Sequence, residues 1–360
     1  MTRLRSAVAV PNAKVSVPRP VQRAVDRPRL LDSWTPADAG AADVFVACAP
    51  AGYGKTILLA TLADRFLAAG VPVAWVTCDR EDDSTTFWAA VLVALERAAG
   101  DSATIAALVP PRDPADTTFV ATLLTVIESE LPALLLVLDD VHHLHDTAVL
   151  DGLRLLLDRA PAGTRIALGE RFEAALALHR LRLAGRVREV RAADLAFTPE
   201  EAHEFWVRHD TTLDTQLEER VLDLTEGWPA GMRMVALSLE RIDDPHQFVE
   251  DFVGDDRSVA DYLSGEVLAL LPEDVVDFLL RTSVVEELND DLAARLSGRP
   301  DAGALLDDLE QQNALLVRLG GPGRWFRFHS LLRSHLGAVS HRRRPGEAER
   351  LHGVAATWYL

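Results

Sequence analysis

The chain has 360 residues, 48% of them hydrophobic and 26% charged, enough for two or three domains that each bury a core. A formal net charge of -18 and a pI of about 5.0 repel phosphate backbones, which excludes broad nucleic-acid binding by this segment. No run of about 18 uninterrupted apolar residues occurs, so no membrane-spanning helix is expected.

Residues 1–40 are rich in Pro and Arg and are expected to form an N-terminal arm, with a short helix opening at Arg29-Leu30-Leu31. Arg3 and Arg5 precede an apolar run, Ala7–Val10, that is too short for a signal-peptide core. Asp43–Cys48 reads as a short apolar strand, followed by a Gly-rich loop and a helix over Ile57–Leu67. Val71–Thr77 is a second strand. Helices follow at Thr86–Ala98, with Phe87, Val91, Leu92 and Leu95 on one face, and at Thr118–Glu130. Asp79, Asp82 and Asp83 stand where they cap the Thr86 helix, or face a site at the strand end. Leu134–Leu138 is continuously aliphatic and ends in Asp139-Asp140, as a parallel strand covered on both faces does. Arg165–Gly169 and Val187–Val190 are further short strands, so strand and helix alternate as a doubly wound sheet requires.

Thr198-Pro199-Glu200-Glu201 signals a helix start, and strand signals then stop. Helical patterns are broken at Gly227-Trp228-Pro229, Asp243-Asp244-Pro245 and Gly254-Asp255-Asp256. Two short strands, Leu315–Leu319 and Trp325–Phe328, are joined by Gly320-Gly321-Pro322-Gly323 and close a winged helix. The expected organisation is an arm at 1–40, an α/β P-loop NTPase domain at 41–196, an all-α lid at 197–256, a winged helix at 257–342 and the first helix of a further arm at 343–360. Cys48 and Cys78 have no CxxC or metal spacing and are expected to be reduced core thiols of a cytoplasmic protein.

Ala49-Pro50-Ala51-Gly52-Tyr53-Gly54-Lys55-Thr56 fits the phosphate-loop pattern with Ala in the first Gly position. Small residues let backbone N–H groups wrap a β-phosphate, Lys55 supplies a cation to the β/γ oxygens, and the Thr56 hydroxyl is a Mg²⁺ ligand. The helix that follows adds its positive N-terminal end. Only two lysines occur among 37 basic residues, and Lys55 is one of them. Asp139 is expected to hold Mg²⁺ and Asp140 to polarise the attacking water. Arg171 follows the next strand; a γ-phosphate sensor and a surface ion pair both fit it. His142, His143 and His145 have no second ligand group at metal spacing and are expected to be solvent-exposed loop histidines.

With these landmarks, Leu181-Arg182, Asp194-Leu195-Ala196-Phe197-Thr198, Gly227-Trp228-Pro229-Ala230-Gly231 and Phe326-Arg327-Phe328-His329-Ser330-Leu331-Leu332, the chain resembles the MalT-like signal-transduction ATPases (STAND class) of large LuxR-type transcriptional regulators. The resemblance runs from Val17-Pro18-Arg19 to the C-terminus. It implies a slow ATPase switch that holds ADP when closed, exchanges it for ATP when an inducer binds a superhelical arm, and then self-associates. It also implies that Pro229 packs near the adenine and that His329 touches the β-phosphate of ADP. Glu170 departs from the family, which has a small residue before the arginine, and Ile57 replaces the usual threonine. The sensor arm would begin where the chain stops, so a fragment or a truncated paralogue is expected, with no direct DNA binding by this segment. Two other functions compete: a small-molecule P-loop kinase, and a DNA-loading AAA-like ATPase whose winged helix grips duplex.

Overall fold

The computed structural model describes residues 9–19, 23–35, 42–100, 102–111, 113, 117–240, 245–251, 257–312, 315–319 and 324–359. The turn expected at Gly320–Gly323, the breaks at Asp243-Asp244 and Gly254–Asp256, and Arg3 and Arg5 lie outside the described residues. The chain divides into two compact units, Met1–Ala49 with Gly54–Asp194, and Pro50–Tyr53 with Leu195–Leu360.

The first unit is built on a five-stranded parallel sheet. Its strands are β1 (Val44–Cys48), β2 (Val73–Thr77), β3 (Leu134–Asp139), β4 (Thr164–Glu170) and β5 (Val187–Arg191), in the order β2-β3-β4-β1-β5. Every residue of β1 and β3 is buried, which explains why both read as unbroken apolar runs rather than alternating ones. Neighbours β1 and β4 send their onward connections in opposite directions, β1 to β2 at one edge and β4 to β5 at the other. Such a switch point opens a crevice beyond the carboxyl ends of the strands.

The described part of 1–40 packs on this unit. Trp34 lies 5.3 Å from the Phe45 ring and 5.6 Å from the Phe66 ring, and Val15 joins the core. Lys14 Nζ donates to Asp79 at 2.5 Å and to Asp82 at 2.8 Å. Asp79 and Asp82 therefore do not cap the next helix, which spans Ser84–Ala99. Of the three acids it is Asp83 that does, accepting the Thr86 N–H in a capping box. A helix over Thr147–Arg159, capped by Asp146, buries Val149, Leu150, Leu153, Leu156 and Leu157. Cys48 and Cys78 are buried thiols, not joined in a disulfide.

The second unit is mostly helical. A capping box between Thr198 and Glu201 starts the helix Pro199–Arg208, as the sequence signal implies. Helices Thr215–Thr225 and Pro229–Leu239 follow. Further on, β6 (Glu287–Asn289), β7 (Leu316–Arg318) and β8 (Trp325–Phe328) form an antiparallel sheet in the order β6-β8-β7. Leu288, Leu316, Phe326 and Phe328 fill its buried side, and the helices Ser330–Arg343 and Glu347–Tyr359 follow. Among the described residues no helix is long and apolar enough to cross a membrane.

Candidate nucleotide site

The phosphate loop leaves the end of β1 and enters the helix Lys55–Ala68. Gly52 and Gly54 have φ of 80° and 79°, left-handed values that side-chain-bearing residues rarely adopt, and Gly54 is the residue from which the helix starts. Lys55 is buried and its Nζ donates to the Ala49 carbonyl at 2.8 Å, so the ammonium is folded back across the loop. Burial lowers its pKa to about 8, with Asp140 and Asp139 pulling it up and Arg171 pushing it down.

Thr56 Oγ1 donates to Asp139 Oδ2 at 2.7 Å, joining the loop to the end of β3 across 83 residues of sequence. Asp139 is buried, and its other oxygen accepts the Asp140 N–H at 3.0 Å. Burial first, then the neighbouring Asp140 charge, raises the Asp139 pKa to about 6, while the Thr56 bond lowers it. Two adjacent carboxylates and a hydroxyl, partly desolvated, form a hard-oxygen set that fits Mg²⁺.

Gly169 on β4 makes room for Asp139. A Cβ there would meet Asp139 Oδ1 at 2.3 Å and Leu59 Cδ1 at 2.8 Å. The period of the strand pattern conceals this requirement. Gly169→Ala is expected to keep the fold and to weaken Mg²⁺-dependent ATP binding about tenfold through loss of a charge-assisted contact, with little effect on Mg²⁺-free binding. Titrations with and without EDTA would check it; equal affinities with Mg²⁺ present would dissociate Gly169 from the acid's placement.

Arg171 lies just beyond β4, and its charge acts on both Lys55 and His142. Its backbone N–H approaches His142 Nδ1 at 3.4 Å. Glu170 points elsewhere: Oε2 accepts the Ala174 N–H at 3.0 Å, and burial raises its pKa to about 7. The charges that act on it are Glu173, Arg182 and Glu189 rather than the phosphate-loop lysine.

The expectation of solvent-exposed loop histidines fails at His142. Asp140 has a left-handed backbone, φ 58°, which turns the chain into a 3₁₀ turn over Val141–His143 and folds His142 inward. His145 is exposed and His143 is half-buried. Donor atoms of Asp140, His142 and His143 all lie within 4.8 Å of one another.

In the second unit, the loop crest Pro50–Tyr53 meets Trp228. The indole N–H of Trp228 donates to the Ala51 carbonyl at 3.1 Å, and the Ala230 N–H donates to the Gly52 carbonyl at 3.1 Å. Pro229 opens the helix after Trp228. His329 caps the helix Ser330–Arg343, with Nδ1 accepting the Leu331 N–H at 3.3 Å, so the ring proton sits on Nε2. The ring is buried edge-on to Trp228, 5.6 Å between centroids. Burial lowers its pKa, against the Glu226 charge and the Thr225 carbonyl, which raise it. Glu226 itself is held by Arg327 at 2.8 and 2.9 Å and by the Ser330 N–H at 2.8 Å. Nothing local in the sequence marks Glu226 as a partner of Arg327.

Comparison with known proteins agrees with this layout. A family model described as an AAA domain matches residues 39–172, and one described as the MalT winged helix domain matches residues 264–348. The HTH-type transcriptional regulator MalT of Serratia proteamaculans is 30% identical over 354 residues, covering 97% of this chain and 38% of the regulator. That of Klebsiella pneumoniae subsp. pneumoniae is 29% identical over 331 residues, covering 90% and 36%. The chain thus spans less than two fifths of the length of these curated relatives. The Walker-type ATPase PABY2304 of Pyrococcus abyssi shares the fold, with a TM-score of 0.58 at 16% identity over 88% of this chain and 98% of that one. The chain is therefore similar to MalT along almost all of its length, with the AAA domain match over its phosphate-loop segment and the MalT winged helix domain match after it.

Proposed function

We propose that this chain is an ATP-binding, slowly hydrolysing switch, the nucleotide-sensing core of a MalT-type transcriptional regulator that works in the cytoplasm. The observation that carries the reading is the 2.7 Å bond from Thr56 to Asp139, which unites the loop and the acidic strand in one oxygen-rich site beside Lys55. Backbone N–H groups of Ala49–Thr56 wrap the phosphates, and Lys55 swings from the Ala49 carbonyl to the β/γ oxygens. Thr56 and Asp139 would hold Mg²⁺, which when bound neutralises phosphate charge. Asp140 orients the attacking water, and Arg171 senses the γ-phosphate. Pro229 packs near the adenine, and His329 offers its Nε2–H to the β-phosphate of ADP in the closed state.

Exchange of ADP for ATP then opens the switch and permits self-association, under control of an inducer that acts outside this segment. The charge of -18 opposes a DNA-loading role. A small-molecule kinase needs an acceptor pocket, and no structural feature of the site favours that reading.

His329→Ala tests the switch directly, because simple ATP hydrolysis does not need this residue. It is expected to weaken ADP more than ATP, by about 1–2 kcal/mol, a roughly five- to thirty-fold change in preference. The fraction self-associated in ATP should rise as the open form gains population. Paired ADP and ATP titrations with sedimentation measure both effects. Equal weakening of the two nucleotides, or of neither, would leave His329 as a core histidine only.

A further inference from the structure

We propose that Asp140, His142 and His143 form a transition-metal site for Zn²⁺-like ions, distinct in chemistry from the Mg²⁺ site and mutually exclusive with water activation by Asp140. The inhibitory consequence rests on the role proposed above for Asp140; the metal site itself does not. The left-handed Asp140 and the 3₁₀ turn after it gather one carboxylate and two imidazoles on four consecutive residues. Their donor atoms lie within 4.8 Å of one another, and His142 Nδ1 is 3.8 Å from Asp140 Oδ1. A tetrahedral zinc about 2.0–2.2 Å from each ligand needs donors roughly 3.5 Å apart, so closing the site takes about an ångström of side-chain movement. Asp140 and His143 are partly exposed and free to make it.

His142 is buried, and among the described residues its Nε2 has no hydrogen-bond partner; its Nδ1 takes the long, 3.4 Å approach of the Arg171 N–H. A buried imidazole so weakly engaged is a ligand at little cost in lost bonds. The charges of Arg171 and Arg80 act on both rings and that of Lys55 on His142, all opposing a dication, while Asp140 and Asp79 act in its favour at His143. Affinity must therefore come from nitrogen coordination, which selects Zn²⁺, Co²⁺ or Ni²⁺ and rejects Mg²⁺. Two nitrogens, one oxygen and a water complete a four-coordinate shell.

The experiment uses Co²⁺ as a spectroscopic probe on the full chain without nucleotide, then Zn²⁺ in the turnover assay. One equivalent of Co²⁺ should give tetrahedral visible absorption that Zn²⁺ displaces and excess Mg²⁺ does not. His143→Ala, or His143→Gln if the first is poorly soluble, should lose this absorption and keep basal turnover. Zn²⁺ should inhibit wild type and spare the variant. Absence of the absorption in wild type, or its survival in the His143 variants, would overturn the proposal. Because the absorption is read without ATP, a chain that binds Co²⁺ but does not hydrolyse ATP would overturn the ATPase reading alone.

Discussion

Asp140→Asn should lower ATP turnover about 10²- to 10³-fold while changing Mg²⁺-ATP affinity by no more than about threefold. The expectation follows from the different surroundings of two adjacent acids. Asp139 is buried, accepts from Thr56 at 2.7 Å and from the Asp140 N–H at 3.0 Å, and fills the space left by Gly169, so both its oxygens are engaged. Asp140 turns out of the strand with φ 58° and keeps about a third of its side chain exposed, with its carboxylate open to water. A carboxylate that orients water is needed most in the transition state, so its loss appears in turnover and not in binding. Asp139→Asn should show the opposite pattern, with Mg²⁺-dependent affinity falling first. Single-turnover hydrolysis and equilibrium titration on both variants separate the two roles. Unchanged turnover in Asp140→Asn would move the water-positioning task to another residue. Glu170 is a poor substitute, because its carboxylate is tied to the Ala174 N–H and the charges that act on it are Glu173, Arg182 and Glu189.

The elements most legible in the sequence are those whose burial is uniform or whose caps are local. β1 and β3 are buried at every position, and continuous apolar runs report that directly. The Thr198–Glu201 capping box is a contact between residues three apart, which the sequence states outright. β6 is different: Glu287-Leu288-Asn289 has one apolar residue and becomes a strand only because β8, nearly forty residues later, pairs with it. The helix Thr147–Arg159 is not among the elements expected from the sequence, although Val149, Leu150, Leu153, Leu156 and Leu157 carry helical spacing.

At the site, local chemistry was legible and long-range geometry was not. The loop and the Asp139-Asp140 pair declare themselves by residue type. The inward turn of His142 depends on a left-handed Asp140, which no neighbouring residue type demands. Lys14 is the other lysine of the chain, and its scarcity was as informative as that of Lys55. Its partners, Asp79 and Asp82, lie more than sixty residues away in sequence and just before a helix that they do not cap. Gly169 looks like an ordinary strand glycine until the Asp139 carboxylate is placed against it.

Lys55→Ala should abolish measurable ATP and ADP binding at micromolar nucleotide while leaving the thermal unfolding transition in place. The lysine is buried, and its 2.8 Å hydrogen bond to the Ala49 carbonyl spans the loop that the phosphates would occupy. Removing it deletes a charge-assisted contact in a desolvated setting, a loss on the order of 2–4 kcal/mol, or roughly 30- to 1000-fold in affinity. The fold does not need the ammonium, since burial already works against its charged form and lowers its pKa to about 8. That shift gives the wild type a pH signature with a definite sign. Phosphate oxygens stabilise the protonated amine, so the complex has a higher pKa than the free protein, and nucleotide binding takes up a proton above pH 8. Affinity should be nearly flat below that value and fall about tenfold between pH 7 and pH 9 in wild type. The residual binding of Lys55→Ala, measured at high nucleotide concentration, should lack this fall. Calorimetry in buffers of different ionisation enthalpy reads the proton uptake directly. Tight, pH-independent ATP binding by Lys55→Ala would mean that the phosphates lie somewhere other than this loop, and the assignment of Thr56 and Asp139 would fall with it.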